Sequence, residues 1–197
     1  MLDEEVAVRK LVVSEFVSLD GVMEGPGREP GFARSGWVLE HFIPEHDVYR
    51  YQELLEASAL LLGRVTYEGF SAAWPKATGE FADRMNALPK YVVSSTLHEP
   101  LAWNASLLKG DLTSEVETLK GQDGDGHLFV HGSRSLAQEL LQRGLVDELR
   151  LMVFPVVLGS GARLFPQSSD KISLVLVGSR AFDSGVVALT YARKHSA

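Results

Sequence analysis

The segment Ser58–Phe70, SALLLGRVTYEGF, decides the fold. Its first half is a short apolar run, typical of a buried strand, and at Gly63 it changes into a segment that predicts a helix. Similar apolar runs rich in Val, Leu and Ile alternate with helix-like segments along the rest of the chain. This alternation predicts an α/β layered domain with a largely buried sheet.

Seven strands and four further helices are predicted from this pattern. The last two strands are joined by Asp183-Ser184-Gly185, a turn signal that predicts an antiparallel hairpin at the edge of a mostly parallel sheet. The predicted strands are Lys10–Phe16, Ala57–Leu62, Lys90–Ser94, His127–His131, Glu148–Val157, Ile172–Gly178 and Val186–Tyr191. The predicted helices are Asp47–Glu56, Glu80–Ala87, Leu112–Leu119 and Ser135–Arg143.

Length and composition indicate one domain. The 197 residues, 45% of them hydrophobic, fill a single core, which we place at residues 10–197 after an N-terminal extension at 1–9. The net charge of −7 and the absence of a basic cluster disfavour a nucleic-acid partner. The chain has no cysteine and no apolar run of spanning length, so we expect a cytoplasmic protein without a membrane partner.

Several common site motifs are absent from the sequence. No G-x-G-x-x-G follows the first strand, and there is no P-loop, H-E-x-x-H or G-x-S-x-G motif, although HGSRS superficially resembles the last of these. The six histidines include no pair at metal-binding helical spacing. We therefore expect no metal site, and a serine hydrolase is disfavoured.

Three strand-to-helix turns carry glycine, hydroxyl and arginine residues instead. They are Gly63-Arg64-Val65-Thr66, Ser94-Ser95-Thr96 and Gly132-Ser133-Arg134-Ser135. The carboxyl ends of strands in an open α/β sheet form the usual ligand site, where free N–H groups of helix N-termini attract anions. Each turn is thus a candidate phosphate site. Taken singly, each is also what an ordinary helix cap looks like.

Nearly the whole chain, from about Lys10 to Tyr191, resembles the dihydrofolate reductase-like family whose members are similar to the C-terminal reductase domain of RibD. The resemblance rests on SEFVSLDGVMEGPG, LLLGRVTYEGF, KYVVSSTL and the long segment LFVHGSRSLAQELLQRGLVDELRLMVFPVVLGSGARLF. Its most specific part is Gly144–Leu149 followed by Pro155–Gly161. The resemblance implies a three-layer α/β/α fold and NADPH laid across the carboxyl ends of the strands.

The resemblance also implies roles for particular residues. Ser18–Val22 match the loop that edges the nicotinamide, and Ser94, Ser95 and Thr96 match the turn at the adenosine ribose and its 2′-phosphate. The residues that match the turns around the other phosphates are Gly63, Arg64, Thr66, Gly132, Ser133, Arg134, Ser135 and Leu136. Where dihydrofolate reductases have paired glycines, this chain has His131-Gly132.

The implied reaction is hydride transfer from NADPH to a C=N or C=O bond of a pterin-like or pyrimidine-like compound, as in dihydrofolate reductase or 5-amino-6-(5-phosphoribosylamino)uracil reductase. We expect the acceptor pocket between the loop Gly21–Gly36 and the segment around Trp37. Asp20 is predicted to orient a substrate hydroxyl or relay a proton, Trp37 to stack on a planar ring and His131 to face the ligand. Each also fits a purely structural role: Asp20 as part of a turn, Trp37 as a core residue and His131 as a hydrogen-bonded side chain. Arg64 is expected at the strand end, with its guanidinium on a phosphate.

Two other classes stay open from the sequence: a nicotinamide-nucleotide-binding protein that reduces nothing, and an interaction protein with an empty cleft. The apolar stretch Leu151–Leu158 is either a surface for a homodimer or a single long core strand. The family resemblance favours the homodimer.

Overall fold

The computed structural model describes residues 9–122, 124–165 and 171–194. The predicted N-terminal extension, apart from Arg9, and His195 lie outside these residues. The described strands are β1 Leu11–Ser18, β2 Ala57–Gly63, β3 Lys90–Val93, β4 Ala105–Leu108, β5 His127–Val130, β6 Glu148–Phe154, β7 Leu174–Ala181 and β8 Val187–Arg193. The described helices are α1 Pro44–Leu55, α2 Arg64–Ala73, α3 Glu80–Ala87, α4 Leu112–Lys120 and α5 Arg134–Gln142, with a 3-10 turn at Trp74–Lys76.

These eight strands form one sheet in the order β4-β3-β2-β5-β1-β6-β8-β7. The first six are parallel, so their carboxyl ends share one edge, and β8 and β7 pair antiparallel. The predicted mostly parallel sheet with a C-terminal hairpin is confirmed. Gly185, in the turn before β8, has a φ of +83°, which few other residues adopt easily.

Alternation along the strands divides the core between the two faces of the sheet. On β2, Leu61 packs with residues of α4 and α5 such as Val116 and Leu140, whereas its neighbours Leu60 and Leu62 pack with Leu54 of α1 and Met85 of α3. Helices therefore cover both faces. This arrangement is the three-layer α/β/α fold that the resemblance implied.

One strand was missed and one was predicted too long. Strand β4 pairs with β3 at the edge of the sheet, and its four residues, ASLL, are too short and too exposed for a clear pattern. Strand β6 ends at Phe154 rather than Val157, because Pro155 has no N–H for a ladder. Since β6 lies between β1 and β8, the stretch Leu151–Leu158 begins as an interior strand rather than as a free surface.

The early end of β5 shapes the functional edge of the sheet. Strand β5 stops at Val130, paired with Val13 of β1, while β1 continues for five residues to Ser18. On the other side β2 pairs with β5 only as far as Leu60 and continues to Gly63. A gap thus opens above the end of β5, between the longer strands β1 and β2.

In the described part of the chain, no helix has both the length and the apolar character that crossing a bilayer requires. At the far edge of the sheet, β7 leaves one side of its backbone unpaired among the described strands. Val175, Leu176 and Val177 on this strand are 46%, 51% and 58% exposed. The most exposed apolar strand is therefore β7 and not the predicted Leu151–Leu158.

Candidate active site

A cleft of about 530 Å³ occupies the gap above β5. It has three walls, which come from the loop after β1, the start of α2 and the turn into α5, and its floor comes from β1, α1 and His131. We call this space the cleft. Its lining residues include Ser14, Glu15, Phe16, Met23, Glu24, Gly25, Pro26, Gly27, Glu29, Arg50, Thr66, Phe70, His131, Gly132, Ser133, Arg134 and Ser135.

A wider cavity of about 670 Å³ lies at the opposite edge, by the amino ends of β2 and β5. Its arginine, Arg84, donates to the carbonyl oxygens of Leu54 and Ala57, at 3.5 and 2.6 Å, so its guanidinium holds the backbone together. The cleft is the better candidate site, because the N-termini of α2 and α5 meet there. Polar side chains at the cleft also have hydrogen-bonding groups that are not fully used within the protein.

Two of the three predicted turns interlock at the cleft. A Cβ on Gly63 would lie 2.0 Å from Ser133 Oγ, and a Cβ on Gly132 would lie 2.9 Å from Thr66 Oγ1. Gly132 also has a φ of +79°, which favours glycine. The strand-to-helix turns after the neighbouring strands β2 and β5 therefore touch, and each requires a residue without a side chain at the contact.

The helices that start at these turns have uncapped N-termini. Neither N-cap residue, Gly63 for α2 or Ser133 for α5, makes a side-chain capping hydrogen bond within the described part of the chain, whereas the side chain of Asp111 accepts hydrogen bonds at the start of α4. Free N–H groups and the helix dipoles make this end of the cleft attractive to an anion. Arg134, the first residue of α5, lines the cleft and has no ion-pair partner among the described residues.

The structure does not bring every predicted cofactor residue to the cleft. Arg64 is the first residue of α2 rather than the end of the strand, and its guanidinium donates to Glu68 at 2.9 Å. Leu136 is buried in the core. The turn Ser94–Thr96 follows β3, one strand beyond β2 at the same edge, and Ser94 Oγ accepts from the N–H of Thr96. Their binding roles stay predictions.

His131 is held in the floor with one ring nitrogen unpartnered. Nδ1 lies 3.1 Å from the guanidinium of Arg50, which only donates, and 3.4 Å from the carbonyl oxygen of Ser14, which only accepts. The shorter contact favours Nδ1 as the acceptor and the tautomer with the proton on Nε2. Burial, together with the charge of Arg50, holds the pKa of His131 well below its usual range, so the ring is neutral. Nε2 is buried without a hydrogen-bond partner among the described residues. A buried polar atom without a partner is rare, and a bound ligand that reaches the ring would supply the missing acceptor.

An ion network beneath the floor fixes Arg50. Its guanidinium lies 3.3 Å from the buried carboxylate of Glu53 and donates to Ser14 Oγ at 2.7 Å. Arg150 of β6 approaches the same carboxylate at 3.6 Å. Glu53 thus forms ion pairs with two arginines, and these pairs offset the cost of burying its charge. Arg50 is held in place to orient His131.

Glu15 is a site residue that the sequence reasoning missed. It lies on β1 at the cleft, is 8% exposed, and accepts a hydrogen bond of 2.7 Å from the N–H of Gly132. Burial raises the pKa of Glu15 to about 8, so the carboxyl is largely protonated at neutral pH. The signal in the sequence was a single charge inside the otherwise apolar strand LVVSEFVS.

Asp20 is not the predicted proton relay. Its carboxylate accepts hydrogen bonds from Ser18 Oγ at 2.7 Å and from the N–H groups of Leu158 and Gly159 at 3.0 and 2.9 Å. These bonds hold its pKa far below the usual range. Asp20 therefore stays ionised and ties the loop after β1 to the loop after β6, outside the cleft lining. The matched segment Ser18–Val22 is likewise bonded into this junction.

Trp37 is not a stacking residue for a ligand. It is 5% exposed, packs against Phe154 at 5.5 Å between ring centroids, and donates from Nε1 to the carbonyl oxygen of Glu24 at 2.9 Å. Trp37 thus supports the loop Gly21–Gly36 from the core side. The aromatic side chains that do line the cleft are Phe16 and Phe70.

Comparison with known proteins gives a consistent result. The family model of the RibD C-terminal domain matches residues 9–188. The uncharacterized protein YyaP of Bacillus subtilis (strain 168) is 30% identical over 188 residues, which cover 93% of this chain and 94% of YyaP. The match therefore runs over nearly the full length of both chains.

Two solved structures share the fold. The first, described as a putative riboflavin biosynthesis protein from Shewanella sp. PV-4, superposes with a TM-score of 0.76 at 23% identity, covering 94% of this chain and 99% of its own. The second, a pyrimidine reductase-like protein from Corynebacterium diphtheriae, gives a TM-score of 0.68 at 13% identity, covering 95% and 93%.

We expect Gly63→Ala to lower the free energy of unfolding by about 1–3 kcal/mol, because the new methyl group meets Ser133 Oγ in a packed contact. The φ of Gly63 is −77°, so alanine brings no backbone strain there. Gly69→Ala is the matched control on the same helix. Its Cβ would meet nothing within 4 Å, and we expect a gain of about 0.5–1 kcal/mol. Urea unfolding measures both; equal effects would contradict the interlocked turns.

We expect Glu15→Gln to change how stability depends on pH. The folded-state pKa, about 8, is above the ordinary value of 4.5. The stabilisation that comes from keeping the proton is therefore complete below pH 4.5 and is lost as the pH rises through 8. Between pH 4.5 and 8, the unfolding free energy of the wild-type protein should therefore fall relative to that of Glu15→Gln. Urea unfolding at several pH values checks it, with the exposed Glu139→Gln as control; parallel curves would refute it.

Proposed function

The chain belongs to the RibD C-terminal domain family, and on that premise we propose that it is an NADPH-dependent reductase. It would transfer a hydride to a C=N or C=O bond of a small heterocyclic compound of the pterin or pyrimidine type. The family supports an oxidoreductase of the RibD kind at the coarse level. The observation that carries the proposal is the junction, in one cleft, of the N-termini of α2 and α5 with a floor where His131 Nε2 has no hydrogen-bond partner among the described residues.

The residues at the anionic end fit a dinucleotide. A phosphate oxygen needs N–H donors and close backbone approach, and the turns at Gly63 and Gly132 supply both without a Cβ. Thr66, Ser133 and Ser135 add hydroxyl groups, and Arg134 adds a guanidinium that forms no ion pair with the described residues. The turn Ser94–Thr96 lies next along the same sheet edge, which suits the adenosine end of the same cofactor.

The floor fits the reacting end. When bound, the reduced nicotinamide supplies the hydride. The chain's own residues would do the rest. Phe16 and Phe70 border the space for planar rings, and His131, whose Nε2 has no hydrogen-bond partner among the described residues, would donate to a ligand oxygen or nitrogen. Loop residues Met23–Gly27 cover the cleft from the other side and limit water.

Calorimetric titration with NADPH and NADH tests the anionic end. We expect Arg134→Ala to weaken binding about tenfold, because one charge-assisted hydrogen bond is lost at a partly open site. Arg64→Ala should cost less, since that guanidinium is already paired with Glu68. Lys76→Ala removes an exposed cation outside the cleft lining and should change nothing. No binding of either nucleotide at millimolar concentration would overturn the proposal.

Oxidation of NADPH with a panel of pterins, pyrimidine ribitols, flavins and simple imines tests the reducing activity. Turnover of a heterocycle supports the reductase. Tight binding of NADPH with no turnover on the whole panel would contradict it and favour a non-catalytic nicotinamide-nucleotide-binding protein of the same fold.

The proposal includes a homodimer formed through β7. An exposed apolar edge strand is a template for pairing with another chain, and an antiparallel pair of identical edges closes around a two-fold axis. We expect Val177→Lys to shift the protein from dimer to monomer, because a charge replaces a side chain that is 58% exposed on that strand. Sedimentation equilibrium measures the mass. A wild-type monomer, or a variant that stays dimeric, would exclude this interface.

A further inference from the structure

Glu15 occupies a buried position where an apolar side chain would be more favourable than a carboxyl. Along β1, Val13, Glu15 and Val17 alternate onto the same face of the sheet, and both valines belong to the apolar cluster that includes Met23 and Leu136. An ionised carboxylate is strongly disfavoured in such surroundings unless it is paired. Among the described residues, no arginine or lysine forms an ion pair with Glu15. The carboxyl is therefore kept as a neutral acid.

The hydrogen bond from Gly132 indicates which of the two carboxyl oxygens of Glu15 carries the proton. Oε1 accepts the N–H of Gly132 at 2.7 Å, which makes it the carbonyl-type oxygen. Oε2 receives no hydrogen bond from the described residues, and it is not fully buried. Since Glu15 lines the cleft, Oε2 is the oxygen that borders it. The proton on Oε2 is thus presented to whatever occupies the cleft.

We propose that Glu15 is the catalytic acid that protonates the acceptor atom during reduction, an inference that rests on the proposed reductase function. The acceptor carbon gains a hydride from the reduced cofactor while the π electron pair moves to its nitrogen or oxygen. That atom takes the proton from Glu15 Oε2, so the C=N or C=O bond becomes an amine or an alcohol. The cofactor is left oxidised, and the Glu15 carboxylate takes a proton back from water.

The other titratable groups around the cleft do not fit this role. Asp20 stays ionised and lies outside the lining, and Glu24 Oε2 is bound to the N–H of Ala162 at 2.7 Å. Burial and the charge of Glu24 also raise the pKa of Glu29, but Glu29 is an exposed residue of the loop after β1, whereas Glu15 is held on a strand. His131 is neutral, and the N–H of a neutral imidazole can donate a hydrogen bond but is far too weak an acid to transfer a proton. The charged and titratable side chains that line the cleft with Glu15 are Arg50, His131, Arg134, Glu24 and Glu29.

Burial supports the same conclusion, because it raises the pKa of Glu15 to about 8, with the charge of Arg50 acting in the opposite direction. General acid catalysis is most efficient when the pKa lies near the working pH. A carboxyl that is still protonated at neutral pH, yet ionises slightly above it, meets that condition.

The test compares two acceptors in wild-type protein and in Glu15→Gln. The amide of glutamine still accepts the Gly132 N–H, so the turn is preserved, but it has no acidic proton. A neutral cyclic imine needs both a hydride and a proton, whereas its N-methyl iminium counterpart needs only the hydride. We expect Glu15→Gln to lower the single-turnover rate with the imine, relative to the rate with the N-methyl iminium compound, by roughly 100-fold or more. The exposed Glu139→Gln should leave the ratio as it is.

Three outcomes separate the inference from the proposed function. An unchanged ratio, or a variant that keeps more than a tenth of the imine rate, would overturn the role of Glu15 while the reductase stands. No NADPH oxidation by wild-type protein with any acceptor would overturn the reductase. Infrared titration of the free protein gives a readout without turnover: a protonated-carboxyl band that persists at neutral pH and is absent from Glu15→Gln supports the acid, and its absence from the wild type would refute it.

Discussion

The contact between Gly63 and Ser133 is the constraint on which the cleft depends. It brings the end of β2 so close to the start of α5 that a Cβ on Gly63 would lie 2.0 Å from Ser133 Oγ and 3.1 Å from Ser133 Cβ, and it sets two helix N-termini side by side. Each helix alone offers an anion a partial positive charge that solvent screens readily. Two such ends, with N–H groups free of side-chain caps, concentrate that field at one point of a chain with a net charge of −7.

The short strand β5 turns this contact into a site. Because β5 stops at Val130, Ser14–Phe16 on the longer β1 have no partner residues on β5, and they line the cleft instead. The same gap lets Gly132 reach Glu15 and lets Arg50 of α1 reach His131. The anionic end and the reacting end are therefore two consequences of one difference in strand length.

The sequence predicts the layers and the turns because both are local. Alternating apolar runs give the strands, and glycine with hydroxyl residues marks the places where strands pass into helices. Gly132 and Ser133 were found in this way, and the resemblance to RibD-like proteins is confirmed by the family match. Strand β4 was missed because ASLL on an exposed edge has neither length nor a clear pattern.

Side-chain roles at the cleft were harder to predict, because they depend on partners distant in sequence. Asp20 looks like an exposed turn residue until Leu158 and Gly159, 138 and 139 positions away, donate to its carboxylate. Trp37 looks available for stacking until Phe154 packs against it. Glu15 looks like a surface charge on an amphipathic strand. Its surroundings come from β5, α5 and the loop after β1, which no single stretch of sequence brings together.

Glu53 and Glu15 lie on opposite sides of the sheet, and their surroundings indicate different roles. Both are buried, and burial raises the pKa of both, but two arginines and the hydroxyl of Ser14 act in the opposite direction on Glu53. Glu15 has one backbone N–H and apolar neighbours, which favour the protonated form. Folding would be easier with an apolar residue at position 15, since valines stand at 13 and 17 on the same face. A residue that costs stability and borders the cleft is best explained by chemistry performed there.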